Sequence, residues 1–423
     1  MAFHRLACLA LCAWFCVMGQ DALRPKDVRE MGKGGVNAIP KLAPLLTNAD
    51  VDIRLEAVRQ ISEIGTQYSL DPLIQATRDN DPEVQIRATD GLVNFYLPGY
   101  LKTGFAASLR RAGTSIKGRF TDTNDQVIDP YIQPRPDVIG ALGVLARSGA
   151  SMESRANAAR AIGILRGKAA IPDLIQALHS KDTQVIYESL VALQKIRDPE
   201  SASSIAFLLR DLNQRVQIAA IETTGLLLNK SAVPALVGVL NDTRDSKVRR
   251  AALTAIAMLP EPSSRDLYAR YLQDKDEKLR AAAAEGFARL KNPTDLPMLQ
   301  KAYQDEGKMS PRLSLAFALV SLGKTEISEF SPLRFLIDTL NNASYHGEAF
   351  PFLVELARDA AVRKSLYTPL LQGTKDEKIY LARVMARSGD KNDIPQLEKL
   401  SHDDDPEVAQ EGLRALRNLQ ART

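Results

Sequence analysis

Residues 39–65 read IPKLAPLLTNADVDIRLEAVRQISEIG, and residues 70–96 read LDPLIQATRDNDPEVQIRATDGLVNFY. Laid over each other, the two stretches match at a constant offset of 31 residues, with apolar side chains and one aspartate at the same places. The matching pairs are Leu42 with Leu73, Asp50 with Asp81, Ile53 with Val84, Ala57 with Ala88, Ile61 with Leu92 and Ile64 with Phe95. Because self-similarity at a period of about 20–50 residues marks a repeat architecture, this unit decides the fold.

The same frame recurs through the rest of the chain. Further copies start at Ile171, Val233 and Ile394, and another surrounds Asp276. In each copy the apolar positions fall three and four residues apart, which is the spacing of one face of an α-helix. A polar turn ending in aspartate divides the copy into a short first helix and a longer second helix, and the aspartate is placed to cap the second. Each unit is therefore predicted to be a helical hairpin.

The first complete unit indicates how its second helix is oriented. The apolar spacing turns Ile53, Ala57 and Ile61 towards the core and leaves Glu56 on the outer side, and Gly65 suits the end of the helix. One hairpin buries little apolar surface, so hairpins must stack on one another to close a core. We therefore predict an all-α fold, an α-solenoid of about 10–11 helical hairpins that forms an elongated, curved rod.

Three short patterns carry a family resemblance: an Ile-Pro-x-Leu opening, an Asp-x-x-Val-Arg turn and an Ala-Leu-x-x-Ile-Gly ending. They resemble HEAT repeats, whose armadillo-like units stack into a superhelix, and are most similar to the short bacterial repeats named after phycobilisome lyases. The resemblance covers residues 27–95 and 136–420 and implies that the second helices line the inner face. It also implies a structural ladder at Asp50/Arg54, Asp245/Arg249 and Asp276/Arg280, which departures at Gln85, Ile186, Asn213 and Gln217 are expected to weaken locally.

The first 19 residues differ from the rest of the chain. They hold one firm positive charge, Arg5, followed by an apolar run from Leu6 to Met18 that is too short for a transmembrane helix. This pattern predicts a secretory signal peptide cleaved after Gly19, with a lipoprotein signal or an uncleaved anchor as alternatives. The protein is therefore predicted to be exported to the periplasm or the exterior of a bacterium. All three cysteines lie in the segment that is removed, so the mature protein is predicted to have no disulfides.

The rest of the chain is predicted to divide at an insertion. Residues 20–96 hold an N-terminal cap and the first repeats, residues 97–135 interrupt the frame, and residues 136–423 continue the solenoid. The first part of the insertion interleaves basic and aromatic side chains and has no acid up to Thr121. The candidate interaction residues are Tyr100, Lys102, Phe105, Arg110, Arg111, Lys117, Arg119 and Phe120. This composition suits an anionic surface or a partner groove, and a loop packed on the stack is the alternative.

Composition and the placement of polar residues count against several kinds of chemistry. The chain has 423 residues with 55 Lys and Arg against 51 Asp and Glu, and its net charge of +4 does not favour nucleic-acid binding. Outside the signal segment, His179, His346 and His402 lie far apart, and none precedes the Glu needed by iron-binding hydroxylases built on similar repeats. The acids Asp403 and Asp405 are interpreted as solvated groups at a helix N-terminus. We predict no catalytic residue, cofactor or metal ligand.

A run of acids in the insertion resembles a calcium loop. An EF-hand register that starts at Asp122 places Val127 where glycine is required and Gln133 where glutamate is required, so it does not fit. An irregular calcium site between Asp122 and Asp129 stays open as an alternative.

These observations favour a non-enzymatic, exported scaffold that binds a protein partner through its curved surface. One alternative is an envelope protein that binds anionic lipid or polysaccharide through residues 97–135. Another, which rests on the name of the resembling family, is an enzyme similar to bilin lyases. An export signal would separate such an enzyme from its cytoplasmic phycobiliprotein client.

Overall fold

The structure is a computed structural model that describes residues 23–101 and 126–422. The predicted signal peptide lies outside the described residues. Within them the chain forms α-helices, short 3-10 helices and turns, and no β-strand, which confirms the all-α prediction. No helix among these residues combines the length and apolar character needed to cross a bilayer.

The described residues form a lone helix α1 (Pro25–Gly32) followed by eleven helical hairpins. The first segments of the hairpins are α2 (Ile39–Leu42), α4 (Leu70–Ala76), α6 (Pro136–Ser148), α8 (Ile171–Ala177), the 3-10 helix Pro199–Arg210, α11 (Val233–Asp242), α13 (Arg265–Tyr271), α15 (Leu296–Asp305), α17 (Pro332–Asp338), α19 (Ala360–Gln372) and α21 (Ile394–Leu400). The second helices are α3 (Val51–Ile64), α5 (Pro82–Tyr96), α7 (Met152–Ile164), α9 (Thr183–Ile196), α10 (Gln214–Leu226), α12 (Ser246–Ala257), α14 (Glu277–Leu290), α16 (Met309–Ser321), α18 (His346–Leu356), α20 (Lys375–Ser388) and α22 (Pro406–Gln420). Because α5 packs on α7, the stack continues past the insertion between them.

Capped turns start most of the second helices, as predicted, although α16 and α18 begin without a side-chain cap. The Asp81 carboxylate accepts hydrogen bonds from the backbone N–H groups of Glu83 and Val84, at 2.9 and 3.1 Å, so it satisfies two donors that the helix leaves free. Equivalent caps are Asp50, Asp182, Asn213, Asp245, Asp276 and Asp405. At the other end of α3, Gly65 takes a left-handed conformation with φ 57°, which glycine adopts without steric cost.

The arginine four residues after the cap joins neighbouring hairpins. Arg54 donates to both carboxylate oxygens of Asp79, in the turn of the next hairpin, at 2.8 and 3.0 Å. It also donates to the carbonyl of Asn48 in its own turn, at 2.9 Å. Arg280 repeats this arrangement with the Glu306 carboxylate, at 2.8 and 3.1 Å. The side chain thus stabilises its own turn and the stacking of the next unit together.

Glutamine at the arginine position keeps the bond to its own turn, and the Gln85 amide oxygen also accepts a hydrogen bond from the Ala150 N–H of the next hairpin, at 2.9 Å. The Gln85 amide donates to the Asp79 carbonyl at 2.6 Å, and the Gln217 amide donates to the Leu209 carbonyl at 3.0 Å. Both therefore bind the turn of their own hairpin but form no ion pair with the next one. The predicted local weakening of the ladder is limited to the lost charge pairing.

One contiguous cluster of buried apolar side chains runs from Val28 in α1 to Leu419 in α22. Ile61, predicted to face the core, is completely buried. The prediction for Glu56 was wrong, since its side chain is buried and not on an outer side. Its carboxylate accepts from Arg29 of α1 at 3.2 Å and from Gln60 at 2.9 Å. Burial acts against ionisation, but these hydrogen bonds hold the pKa of Glu56 below its usual value.

Close approach of the helices makes Gly286 in α14 sensitive to substitution. A Cβ atom there would lie 2.5–2.7 Å from ring carbons of Tyr268, which is fully buried. The ring cannot easily retreat, because its hydroxyl donates to the Ile256 carbonyl at 3.0 Å. Gly286→Ala is therefore expected to lower the free energy of unfolding by about 1–3 kcal/mol.

Hydrogen exchange of the α13 and α14 amides measures this loss. The matched control is Gly140→Ala in α6, where nothing lies within 4 Å of the added carbon. That change is expected to stabilise its helix by about 0.5–1 kcal/mol, because alanine is the better helix former. An equal loss at both positions would contradict the close packing of Tyr268 on α14.

The stack curves towards its second helices, which contact one another more extensively than the first segments do. The curvature brings the end of the chain back to the segment that precedes α6. Arg414 in α22 donates to the Asp129 carboxylate at 2.9 Å, across 285 residues of sequence. Ile128, next to Asp129, is tied to α7 by a hydrogen bond from its N–H to the Ile164 carbonyl, at 3.0 Å. The solenoid is thus curved so strongly that its last hairpin contacts the segment before the third, which the prediction of an elongated, curved rod did not specify.

The Asp129–Arg414 ion pair is partly exposed, so it is worth about 0.5–1 kcal/mol. Asp129→Asn is therefore expected to raise the population of a more open solenoid about two- to fivefold, which small-angle scattering detects as a larger radius of gyration. The matched control is Asp71→Asn, which removes a contact with Arg135 between adjacent hairpins and leaves the radius unchanged. A radius that does not respond to Asp129→Asn would show that this pair does not hold the curvature.

Candidate functional site

The inner face is the surface that the second helices turn towards the hollow of the solenoid. A set of charged side chains on this face occupies one repeated position, nine residues after the cap of the helix that carries each of them. They are Arg59, Asp90, Arg160, Glu222, Glu285, Arg383 and Arg414. Glu222 in α10 is exposed to solvent, yet the protein around it desolvates its carboxylate and raises its pKa. This combination is typical of a charge in a concave surface.

Charged side chains on the inner face join consecutive hairpins. Arg160 of α7 donates to the Glu188 carboxylate of α9 at 3.0 Å. Asn157, also in α7, donates to the Asp90 carboxylate of α5 at 3.0 Å. Such pairs fix the register between neighbouring second helices, so the face is organised before any ligand arrives.

Tyr100 is the only one of the eight candidate interaction residues that the structure describes. It is half-buried, packs against the apolar core and lies beside Arg160. Burial, reinforced by the negative charge of Asp90, raises the pKa of its phenol. Tyr100 thus belongs to the inner-face network at α5 and α7. The other seven lie outside the described residues: Lys102, Phe105, Arg110, Arg111, Lys117, Arg119 and Phe120.

A second network lies further along the inner face, around Arg289 at the end of α14. Its guanidinium donates to Glu355 of α18 at 2.9 Å, to Glu285 at 3.2 Å and to the Ala257 carbonyl at 3.2 Å. Burial raises the pKa of Glu285, although Arg289 opposes the shift. Burial also works against the charge of Arg289, but the two carboxylates raise its pKa above the usual value. One cation thus neutralises two acids in a confined space.

A cavity of about 320 Å³ opens beside this network. Its walls include apolar side chains from Ala288, Phe317 and Leu356 and polar ones from Lys291, Glu355 and Asp359. Sequence reasoning did not find this region, because Glu355 and Arg289 lie 66 residues apart and no local motif connects them. The only signal in the sequence was the irregular stretch around α18, with Pro351 inside the helix.

The residues tested for metal or catalytic chemistry are spread through the fold. His179 stacks on Phe207 with ring centroids 4.6 Å apart, and His346 lies at the start of α18. Asp405 caps α22, in agreement with its interpretation as a helix-terminal acid. The Asp403 carboxylate accepts from Lys378 at 2.7 Å and is mostly buried, so Asp403 is not the solvated acid expected from the sequence. No group of three or more His, Cys, Asp or Glu able to hold a metal ion occurs in residues 23–101 and 126–422.

Two protein-family models match the chain. The model described as HEAT repeats matches residues 39–107, 204–267 and 243–320. The model described as PBS lyase HEAT-like repeat matches residues 154–180. No curated protein matches the chain.

Several solved structures are similar to the chain. The complex of CpcE and CpcF of phycocyanin lyase from Nostoc sp. PCC7120 is 20% identical and covers 64% of this chain and 94% of that one, with a TM-score of 0.38. Human deoxyhypusine hydroxylase in complex with glycerol is 17% identical over 67% and 96% of the two chains, with a TM-score of 0.28. Kap121p bound to Nup53p is 12% identical over 94% and 55%, with a TM-score of 0.43.

These identities and TM-scores are low, so the similar structures carry no conclusion about activity or partners. The family models carry more weight, because both describe the short helical unit that the structure repeats along the stack. The predicted resemblance is confirmed: the chain is a HEAT-repeat protein.

Proposed function

We propose that this chain is an exported scaffold that binds a protein partner through its inner face. The observation that carries the proposal is the continuous surface formed by the second helices of the eleven described hairpins. Repeat proteins stack their units into extended concave surfaces of this kind and use them for binding.

The size of the inner face is sufficient for a stable complex. A second helix of 14 residues, such as α9, is about 21 Å long, and packed helices lie about 8–10 Å apart. Each hairpin therefore contributes roughly 200 Å² to the face. A standard protein interface buries about 800 Å² on each partner, so four or five adjacent hairpins are enough.

Pull-down from an envelope extract, with the chain as bait and mass spectrometry as readout, tests this proposal. We expect a stoichiometric protein partner whose capture is weakened by Glu222→Lys on the inner face. The matched control is Glu200→Lys, which reverses an exposed charge at the start of the 3-10 helix Pro199–Arg210 and should leave capture intact. Repeated failure to capture a protein, together with robust turnover of a small molecule, would refute the proposal.

Export is the second part of the proposal and is tested separately. Its support is the apolar segment after Arg5 and the small residue at Gly19. N-terminal sequencing of the protein from a fractionated cell is expected to start at Gln20 in the periplasmic or extracellular fraction. An intact N-terminus in the cytoplasmic fraction would contradict export and leave the scaffold proposal in place.

A further inference from the structure

Five guanidinium groups gather where the C-terminal end of the curved stack approaches the third and fourth hairpins. Arg166 and Arg197 follow the C-terminal ends of α7 and α9, while Arg383, Arg387 and Arg414 lie on α20 and α22. The two groups are far apart in sequence, but Arg387 is close enough to Arg166 and Arg197 to be repelled by both. We call these five residues the arginine cluster.

Only part of the positive charge in the cluster is neutralised. Arg383 donates to the Glu411 carboxylate at 3.0 Å, as Arg414 does to that of Asp129. In the part of the chain that the structure describes, the guanidinium groups of Arg166, Arg197 and Arg387 have no carboxylate partner. The cluster therefore keeps three cations that repel one another, and a ligand of opposite charge would relieve that repulsion.

The titration behaviour of two members agrees with this geometry. Burial and repulsion by neighbouring arginines lower the pKa of Arg387. Burial and the charge of Arg197 lower the pKa of Arg166, and the charge of Asp129 only partly offsets this shift. Both side chains nevertheless reach solvent, so an incoming group can contact them.

The backbone holds two of the free arginines in an unfavourable conformation. Arg166 and Arg197 have φ of 49° and 57°, in the left-handed region that usually carries glycine at a helix end. Gly65 occupies the corresponding position after α3 at no such cost. On the other side, Arg387 lies over the ring of Phe350, 4.8 Å from its centroid, which holds its guanidinium in place.

We propose that the arginine cluster binds an acidic, extended segment of the partner protein. Aspartate or glutamate side chains of that segment pair with Arg166, Arg197 and Arg387. This inference rests on the proposed scaffold function and names the chemistry of its partner. Carboxylates already bind the two neutralised members of the cluster: Arg414 donates two hydrogen bonds to Asp129, which is the paired geometry that arginine prefers, and Arg383 donates one to Glu411.

The spacing of the cluster favours a peptide over a small anion. Arg166 and Arg197 stand on consecutive hairpins, whose helices pack about 8–10 Å apart. An extended chain rises about 3.3 Å per residue, so carboxylates two to three residues apart reach both groups. A single inorganic phosphate carries less negative charge than the three guanidinium groups carry positive charge, so it would leave part of the charge of the cluster unneutralised.

Fluorescence anisotropy of a labelled peptide of alternating glutamate and serine, titrated with the full chain, tests the proposal. A peptide with glutamine in place of glutamate and competition by inorganic phosphate serve as ligand controls. We expect the glutamate peptide to bind, and the variant R166Q/R197Q/R387Q to weaken binding at least about tenfold. Lys291→Gln is the matched protein control, because Lys291 occupies the same left-handed position after α14. It should bind the peptide as the unchanged chain does.

The variant Arg197→Gly distinguishes a loss of peptide binding from a loss of folding stability. Glycine suits the left-handed backbone, so this variant is expected to melt at a higher temperature and yet bind the peptide more weakly. Equal affinity of the triple variant, an equal loss in Lys291→Gln, or equal binding of the glutamine peptide would overturn the proposal. Displacement of the peptide by phosphate at equal concentration would assign the site to a small anion and also overturn it.

The outcome also separates this inference from the scaffold proposal. A captured partner that binds the triple variant as well as the unchanged chain would refute the acidic segment and leave the scaffold function standing. Binding of the glutamate peptide that depends on the three arginines would support the site even where pull-down captures no protein.

Discussion

Arg289→Met is expected to lower the local free energy of unfolding by about 3 kcal/mol at pH 7. The substitution removes the one cation between Glu285 and Glu355 and leaves two carboxylates facing each other in a confined space. It also removes a donor to the Ala257 carbonyl. The expected loss of free energy lies near the lower end of the range for a broken buried ion pair, because a third of the Glu355 side chain stays exposed.

The loss is expected to depend on pH. Burial already raises the folded-state pKa of Glu285, and without Arg289 no cation opposes this shift. A carboxyl whose folded-state pKa is raised destabilises the fold above that pKa, where it is charged, and the penalty disappears as pH falls and the group is protonated. The difference between variant and unchanged chain should therefore shrink as pH falls from 7 towards 4.5, the ordinary pKa of glutamate.

Native-state hydrogen exchange of the α14, α16 and α18 amides measures this effect, because units of a repeat protein open locally. The matched control is Arg87→Met, which removes an exposed pair with Glu83 within α5. It should cost under about 0.5 kcal/mol and show no such pH dependence. A similar loss in both variants would mean that the Arg289 network does not join its hairpins.

Ile61→Ala is expected to cost about 2–5 kcal/mol in local opening of the first hairpins. Ile61 is completely buried in the apolar cluster between α1, α3 and α5, so truncation leaves a cavity. The exposed control is Glu63→Ala on the same helix, expected to cost under about 0.5 kcal/mol. Equal losses would contradict the orientation of α3 in its hairpin.

Glu56→Ala distinguishes the structure from the sequence-based expectation for α3. An outer position predicts a loss under about 0.5 kcal/mol. The buried carboxylate that binds Arg29 and Gln60 predicts about 1–3 kcal/mol, because its partners lose their acceptor. Hydrogen exchange of the α1 and α3 amides decides between the two.

The local structure of each hairpin was predictable because its causes lie close together in sequence. Asp81 caps the helix that starts beside it, Gly65 ends the helix before it, and apolar side chains three to four residues apart define one face. The position of Glu56 was not predictable in this way. Its environment is set by Arg29 of the preceding helix, and the residues of α3 that contact this helix include polar ones such as Glu56, which the apolar pattern does not mark as buried.

Contacts between distant hairpins were equally impossible to predict from the sequence. The pairing of Arg414 with Asp129 and the meeting of Arg387 with Arg166 depend on the rotation accumulated over several hairpins. A small rotation per repeat sets that curvature, and no single repeat records it in its sequence. The candidate interaction residues of the insertion lie outside the described residues, apart from Tyr100, and their role stays a prediction.

Binding of a protein by the inner face in the cell is tested by a photo-crosslinking amino acid at Glu222, on that face, with the same group at Glu200 on the first segment of the hairpin as control. We expect one abundant protein adduct from position 222 and none from position 200. Adducts from position 200 alone, or none from position 222 where a stoichiometric partner is captured, would contradict it.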